Sequence, residues 1–155
     1  MVKKTVLWIL VVLTCLMIFN FSATKGSDSN KQSEAVTEKV EEIVTVVTHK
    51  EPSETTVKNI HIFVRKQGHF VEFALLGLLV FLLSGCYDFS VKKSIMFTLL
   101  FVFFYACTDE IHQLFVQGRQ GRVGDVFIDF AGGILGTGVV LPFEVRKLRK
   151  ETKKL

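Results

Sequence analysis

The sequence predicts an all-α integral membrane four-helix bundle with an extracytoplasmic, partly helical loop between helices 1 and 2. Hydrophobic residues make up 49% of the 155 residues, 15 residues are Phe, and the mean hydropathy is +0.39. A soluble core of this size does not need that much apolar surface, so the surplus is expected to face lipid. The apolar residues also fall into four long runs. Residues 1–155 are therefore expected to form a single membrane domain.

The four expected membrane spans cover about residues 5–22, 70–87, 95–116 and 125–143. About 17–25 helical residues are needed to cross the roughly 30 Å of hydrocarbon in a bilayer. The first run lies at the short end of this range and the others fit it well. The lengths therefore predict four transmembrane helices.

The connection at residues 23–68 is expected to be an outer loop with helical segments. Val36, Val40 and Val47 recur with the period of an amphipathic helix. Ile60 belongs to a second run of the same kind, which leads into the second span. Two interpretations remain open: a helix lying at the membrane surface, or a loop helix that packs on the bundle without lipid contact.

Basic residues predict how the bundle is oriented. Lys3 and Lys4 precede the first span, Lys92 and Lys93 connect the second and third, and the basic tail at residues 144–155 follows the fourth. With four spans, all three groups fall on one side, and the positive-inside rule assigns that side to the cytoplasm. The protein is thus expected to be a multi-pass protein of the cell membrane with both termini in the cytoplasm.

The first helix has an alternative interpretation as a cleaved signal peptide, because two lysines precede an apolar core. The tripeptide Phe21-Ser22-Ala23 is a poor cleavage site, since Phe occupies a position that usually holds a small residue. We therefore expect the helix to remain as a span.

Charge and cysteine content exclude some classes of function. The net charge of +4 is modest, and Lys and Arg flank the apolar runs instead of covering one face, so no nucleic-acid partner is expected. Cys15, Cys86 and Cys107 form no CxxC pair, which indicates neither a disulfide framework nor a zinc knuckle. We predict no cofactor and assign no residue as a metal ligand.

Polar residues concentrate at the outer ends of the last three spans. An ionisable side chain at the bilayer centre costs about 2.5–3.5 kcal/mol on insertion scales, so such residues are expected to face protein, water or a ligand. The predicted ligand-binding residues are Lys66, His69, Glu72, Asp109, Glu110, His112, Gln113, Arg119, Arg122, Asp125 and Asp129.

The spacing of these residues places them on shared helix faces. His69 and Glu72 are three residues apart, as are Asp109 and His112. The stripe below Asp109 continues through Ala106, Val102 and Thr98, whereas Phe97, Phe101 and Phe104 are expected to face lipid.

The fourth span carries a stripe of small residues in line with one of its acids. Asp129, Gly132 and Gly136 share a face, and the spacing of the two glycines allows helix backbones to approach closely. The carboxylates are therefore expected to face a packed seam between helices.

Several motifs carry a family resemblance. They are Arg65-Lys66-x-x-His69-Phe70-x-Glu72-Phe73, Asp109-Glu110-x-His112-Gln113-x-Phe115-x-x-Gly118-Arg119, Asp125-x-x-x-Asp129-x-x-Gly132-x-x-x-Gly136, and the serine-spaced run Phe21-Ser22, Ser27, Ser33. Their order and spacing resemble the signature of VanZ-like membrane proteins. That family is named for a protein associated with lower susceptibility to teicoplanin, a glycopeptide antibiotic with a lipid tail. The resemblance implies a role in tolerance to such lipoglycopeptides and transfers no catalytic residue.

The leading functional hypothesis is a binding or remodelling module at the outer leaflet. Arg119 and Arg122, with Arg65 or Lys66, would hold an anionic group, because guanidinium suits both phosphate and carboxylate. The expected partners are membrane lipids and an anionic cell-wall precursor or lipoglycopeptide.

The alternative is a membrane enzyme acting on a lipid-linked envelope substrate, by either metal-dependent or acid/base chemistry. The candidate catalytic residues are His112, Asp109 and Glu72, and the ligand types available for zinc or manganese include His69, Asp125 and Asp129. Whether any reaction occurs is left open. Two further interpretations are a purely structural ion network and a transporter, for which a homodimer would supply more helices.

Overall fold

The protein is described here by a computed structural model that covers residues 2–24, 26–87 and 89–152, without the side chains of residues 26–33, 35 and 146–152. Every regular element in those ranges is a helix: α1 Val2–Ala23, α2 Gly26–Thr48, α3 Glu54–Ser84, α4 Val91–Gln113 and α5 Val123–Thr152. The all-α prediction is confirmed. The side chains of Ser27 and Ser33 and those of the basic tail from Arg146 onward lie outside the described residues.

Four of the helices are long and apolar enough to cross a membrane, which confirms the number of predicted spans. They are α1, α3, α4 and the part of α5 at Val123–Val145. Two ends differ from the prediction. The helix α3 ends at Ser84, where Gly85 caps it, and α4 ends at Gln113, because Phe115 N already bonds to His112 O in a tight turn at 3.0 Å.

The main difference from the sequence prediction lies in the outer loop. The helix α3 begins at Glu54, where the Ser53 hydroxyl accepts a hydrogen bond from Thr56 N, and its 31 residues extend over about 46 Å. Because a bilayer core is roughly 30 Å thick, the first turns of α3 project beyond it. The predicted second loop helix is therefore not a separate surface element but the start of the second span.

The remaining loop helix packs on the bundle. The helix α2 begins at Gly26, seven residues before Ser33, where the predicted helical run opens, and its buried Thr37 hydroxyl lies 3.2 Å from His61 Nδ1 on α3. Contacts between α2 and α3 extend beyond this pair. The helix α2 thus packs on the bundle, while Val46 and Val47 on it remain exposed.

The spans alternate in direction, so the bundle has two distinct ends. At one end, Trp8 Nε1 donates to the Tyr87 hydroxyl at 3.0 Å and the Lys4 ammonium lies 3.7 Å from the centre of the Tyr87 ring. At the other end, Ser22 at the end of α1 meets Asp109 near the end of α4. The helix α3 occupies the centre, since it packs against all four other helices.

The core between the spans follows the stripes predicted from the sequence. Thr98, Val102 and Ala106 on α4 are fully buried, in line with Asp109. Phe97 and Phe104 are exposed, as expected for side chains that face lipid. The expectation for Phe101 was wrong, because it is half-buried and stacks on the ring of Tyr105, which itself bonds to α1.

A seam of glycines brings α5 against α3. A Cβ atom added to Gly136 would overlap the carbonyl oxygen of Ala74, and one added to Gly132 would overlap that of Phe70. On the α3 side, Gly77 faces the backbone of α5 in the same way. The predicted close approach at this stripe is therefore present, and it fixes how deeply Asp129 enters the bundle.

Candidate functional site

Asp109 is the centre of a buried group of polar side chains at one end of the bundle. Only 4% of the residue is exposed, and its Oδ2 atom accepts two hydrogen bonds, from Ser22 Oγ at 2.8 Å and Gln113 Nε2 at 2.9 Å. Ser22 comes from α1 and Gln113 lies one turn further along α4. The carboxylate thus joins the first span to the third.

Two more spans supply side chains to the same place. His69 from α3 and Asp129 from α5 offer nitrogen and oxygen atoms that lie, with an oxygen of Asp109, within 4.8 Å of one another. Asp129 is 1% exposed, and its Oδ2 atom has no hydrogen-bond partner. Glu72, one turn from His69, places Oε2 at 3.9 Å from His69 Nδ1. We call Ser22, His69, Glu72, Asp109, Glu110, Gln113, Arg119 and Asp129 the polar cluster.

Glu110 fastens the loop between α4 and α5 to the cluster. Its Oε2 atom accepts a hydrogen bond from the backbone N of Arg122 at 2.7 Å, and Oε1 accepts one from Gln113 Nε2 at 3.3 Å. The backbone of Gly121 lies directly against α4, so that a Cβ there would overlap the Glu110 carbonyl oxygen. Glu110 therefore positions this loop.

Arg119 fastens the same loop to the end of the first span. Its Nε atom donates to Thr24 O at 3.1 Å and its Nη2 atom donates to Phe21 O at 2.7 Å. Phe21 lies in the last turn of α1 and Thr24 directly follows the helix, where backbone carbonyls have no partner further along the helix. Gly118 turns the chain before it with a φ of 77°, a conformation that favours glycine.

The electrostatic surroundings of Arg119 are mixed. Burial lowers the pKa of its guanidinium, and the nearby Arg65 lowers that pKa further, while Asp109, Glu110 and Glu72 raise it. The carboxyl groups thus stabilise a charge that burial disfavours. The positive charge of Arg119 therefore offsets negative charge on the carboxyl groups of the polar cluster.

The other predicted residues divide between two surroundings. Lys66 and Asp125 form an ion pair of 2.5 Å at the partly exposed edge of the cluster. His112 lies apart from the His69, Asp109 and Asp129 group and packs on the ring of Phe19, with a centroid distance of 4.3 Å. Among the described side chains, no hydrogen bond joins His112 to Asp109. Within the described side chains, no hydrogen bond connects the three catalytic candidates His112, Asp109 and Glu72 with one another.

Sequence reasoning missed Ser22 as a member of the site. Ser22 was not among the predicted site residues, but it is fully buried and donates directly to the Asp109 carboxylate. The available signal was its place in the motif Phe21-Ser22, one of the features that resemble the family. Complete burial makes Ser22 a partner for Asp109 and denies a substrate access to its hydroxyl.

An open cleft of about 730 Å³ lies beside the polar cluster, between the first turns of α3 and the loop that follows α4. Its charged or titratable lining residues are Lys58, His61, Arg65, Arg122 and Glu54. We call it the basic cleft. Arg65 and Arg122 were expected to serve as binding cations, whereas Lys58 and His61 were not singled out.

A second, apolar groove of about 310 Å³ runs between α4 and α5. Phe103, Ile111, Leu114 and Phe127 line it, and Arg122 lies at its edge. Arg122 thus borders both the basic cleft and the apolar groove. A charged surface and an apolar surface meet at this residue.

Four candidate spans with a buried polar cluster at one end of the bundle define a multi-pass membrane protein with a buried polar centre. The model of the VanZ/LLP1 family matches residues 7–144, which cover nearly the whole chain. No curated protein and no solved structure gives a significant match. The chain belongs to the VanZ/LLP1 family.

Proposed function

We propose that this protein binds the anionic head group of an amphiphilic component of the cell envelope, and that binding or remodelling this component confers tolerance to lipoglycopeptides of the teicoplanin type. The observation that carries the proposal is the meeting of the basic cleft and the apolar groove at Arg122. An anionic lipid, a lipid-linked cell-wall precursor and a lipoglycopeptide all combine an anionic group with a long hydrocarbon chain. The two surfaces match these two parts.

Charge in the cleft supports an anionic ligand. Lys58, Arg65 and Arg122 are opposed there by a single acid, Glu54. Arg presents a planar set of donors that can bind phosphate or carboxylate through two hydrogen bonds. In this proposal Arg119 and Lys66 support the site without binding the ligand, because their charged groups contact the end of α1 and Asp125.

Orientation is the second part of the proposal. The positive-inside rule assigns Lys3, Lys4, Lys92 and Lys93 to the cytoplasm, which leaves the cleft at the outer leaflet and both termini inside. Cell-wall precursors and glycopeptides are accessible on that outer side.

Binding of phosphatidylglycerol to the purified protein in phosphatidylcholine nanodiscs tests the proposal. Replacing Arg65 and Arg122 with Gln is expected to weaken binding roughly 10- to 100-fold, because a hydrogen bond to a charged group contributes about 1.5–3 kcal/mol. The matched control replaces Lys92 and Lys93 with Gln, which removes the same formal charge at the opposite end. Equal losses in both variants, or no loss in either, would contradict a specific cleft.

In cells, the Arg65→Gln, Arg122→Gln variant is expected to lose teicoplanin tolerance at an unchanged level of protein in the membrane. The control with Lys92→Gln and Lys93→Gln should retain tolerance. A fully tolerant cleft variant at normal abundance would reject the functional link.

A further inference from the structure

Side chains from three spans bring nitrogen and oxygen atoms, of the kinds that bind metal ions, to one buried point. His69 on α3, Asp109 on α4 and Asp129 on α5 bring one ligand atom each to within 4.8 Å of the others. Asp109 and Asp129 are 4% and 1% exposed, which distinguishes this group from the solvated acidic clusters common on protein surfaces. The site is separate from the basic cleft, whose lining includes none of these residues.

Atoms of this group lack the partners that buried polar atoms normally have. Asp129 Oδ2 and His69 Nδ1 are both buried without a hydrogen bond, although nearly all buried polar atoms in proteins are paired. Glu72 Oε2, 3.9 Å from His69 Nδ1, is also without a hydrogen bond. Asp129 Oδ2 and His69 Nδ1, on two different helices, therefore belong to one group of residues and lack partners that a bound cation would supply.

Charge in the polar cluster points to the same kind of ligand. The cluster contains four carboxyl groups, those of Glu72, Asp109, Glu110 and Asp129, and one guanidinium, that of Arg119. Lys66 does not alter this balance, because it is paired with Asp125. Buried charges are normally paired or coordinate metals, so the excess of acid favours a divalent cation.

We propose that His69, Asp109 and Asp129 bind one divalent transition-metal ion, Zn²⁺ or Mn²⁺. A mixture of imidazole and carboxylate ligands suits these ions, whereas Mg²⁺ and Ca²⁺ prefer oxygen alone. Ligand bonds of about 2.0–2.2 Å require ligand atoms no more than about 4.4 Å apart, so small side-chain rotations bring this group onto one ion.

Neighbouring residues complete the metal site. Glu72 lies next to the three ligands, with its Oε2 atom 3.9 Å from His69 Nδ1 and without a hydrogen bond. Ser22 and Gln113 donate to Asp109 and fix its orientation, the role that outer hydrogen bonds play around metal-bound carboxylates. The bound ion would link α3, α4 and α5 and compensate their buried negative charge.

Metal analysis of the full-length protein, purified in detergent without chelators, tests the proposal. We expect about one Zn²⁺ or Mn²⁺ per chain and at least a fivefold lower content in Asp129→Asn. The control is Asp125→Asn, which removes an acid one turn earlier on the same helix and should retain the metal. Arg65→Gln with Arg122→Gln should also retain it, so failure of the metal site and failure of the cleft are distinguishable.

A second measurement covers the case in which Asp129→Asn does not fold. Chelator-treated wild-type protein is titrated with Zn²⁺, Mn²⁺ and Mg²⁺ while its thermal unfolding is followed, and with Co²⁺ while its visible absorption is followed. We expect Zn²⁺ or Mn²⁺, but not Mg²⁺, to raise the unfolding temperature, and His69→Gln to change the Co²⁺ spectrum. Wild-type protein with no stoichiometric metal and no response to added Zn²⁺ or Mn²⁺ would overturn the proposal.

Discussion

The two ends of the bundle are built from the same four helices but held together differently. At one end, Trp8, Tyr87 and Lys4 make exposed contacts through a ring and a hydroxyl. At the other end, Asp109 and Asp129 are buried within the bundle with charged and polar neighbours. The polar contacts at the first end are exposed and paired, whereas the second end retains buried polar atoms without partners, as functional sites often do.

The difference shows where stability and function separate along the helices. In the middle of the bundle, the glycine seam fixes α5 against α3 at backbone contact. That rigid contact holds Asp129 in a buried position that its polarity alone would not favour. The polar end can therefore keep its unpaired groups because the apolar middle supplies the packing.

The largest expected effect concerns which end faces outward. In a background with Cys15, Cys86 and Cys107 replaced by Ala, Gln120→Cys should react with a membrane-impermeant thiol reagent in intact cells. Lys92→Cys should react only after the cells are opened, because the positive-inside rule places it in the cytoplasm. Gel-shift labelling measures the reaction of both variants. The reverse pattern would mean that the bundle has the opposite orientation, and it would reject a cleft at the outer leaflet.

The second-largest expected effect concerns the glycine seam between α3 and α5, in the middle of the bundle. Gly136→Ala should destabilise the bundle by at least about 3 kcal/mol, the upper end for overpacking, because the added Cβ meets backbone that cannot rotate away. Thermal unfolding in detergent and membrane abundance measure this. The control is Gly138→Ala on the same helix, where a Cβ meets nothing within 4 Å and the change should not exceed about 1 kcal/mol. Similar behaviour of the two variants would mean that backbone contact does not hold α5.

The smallest expected effect tests whether Arg119 is structural. Arg119→Ala should cost about 1.5–3 kcal/mol of stability, since it removes hydrogen bonds from a charged group to Phe21 O and Thr24 O. Lys93→Ala at the opposite end, where the side chain is exposed, should change stability by less than about 0.5 kcal/mol. Chemical unfolding measures both variants. If Arg119→Ala were as stable as the wild type yet bound phosphatidylglycerol poorly, Arg119 would belong to the binding surface.

The sequence by itself determined the four spans and the end of the bundle at which the acids lie. Spans were readable because bilayer thickness sets the length of an apolar run, and the stripe from Thr98 to Asp109 was readable because helical periodicity is local. The glycine spacing on α5 likewise predicted close packing. The sequence did not identify α3 as the partner helix.

Tertiary structure alone decided which polar residues meet. His112 and Asp109 share a helix face, yet one packs on Phe19 and the other joins Ser22 from a span 87 residues away. The sequence made Arg119 a candidate for binding an anionic ligand. In the folded chain, its guanidinium donates a hydrogen bond to the end of α1. Such pairings depend on how helices rotate and approach one another, and the spacing within one helix carries no information about that.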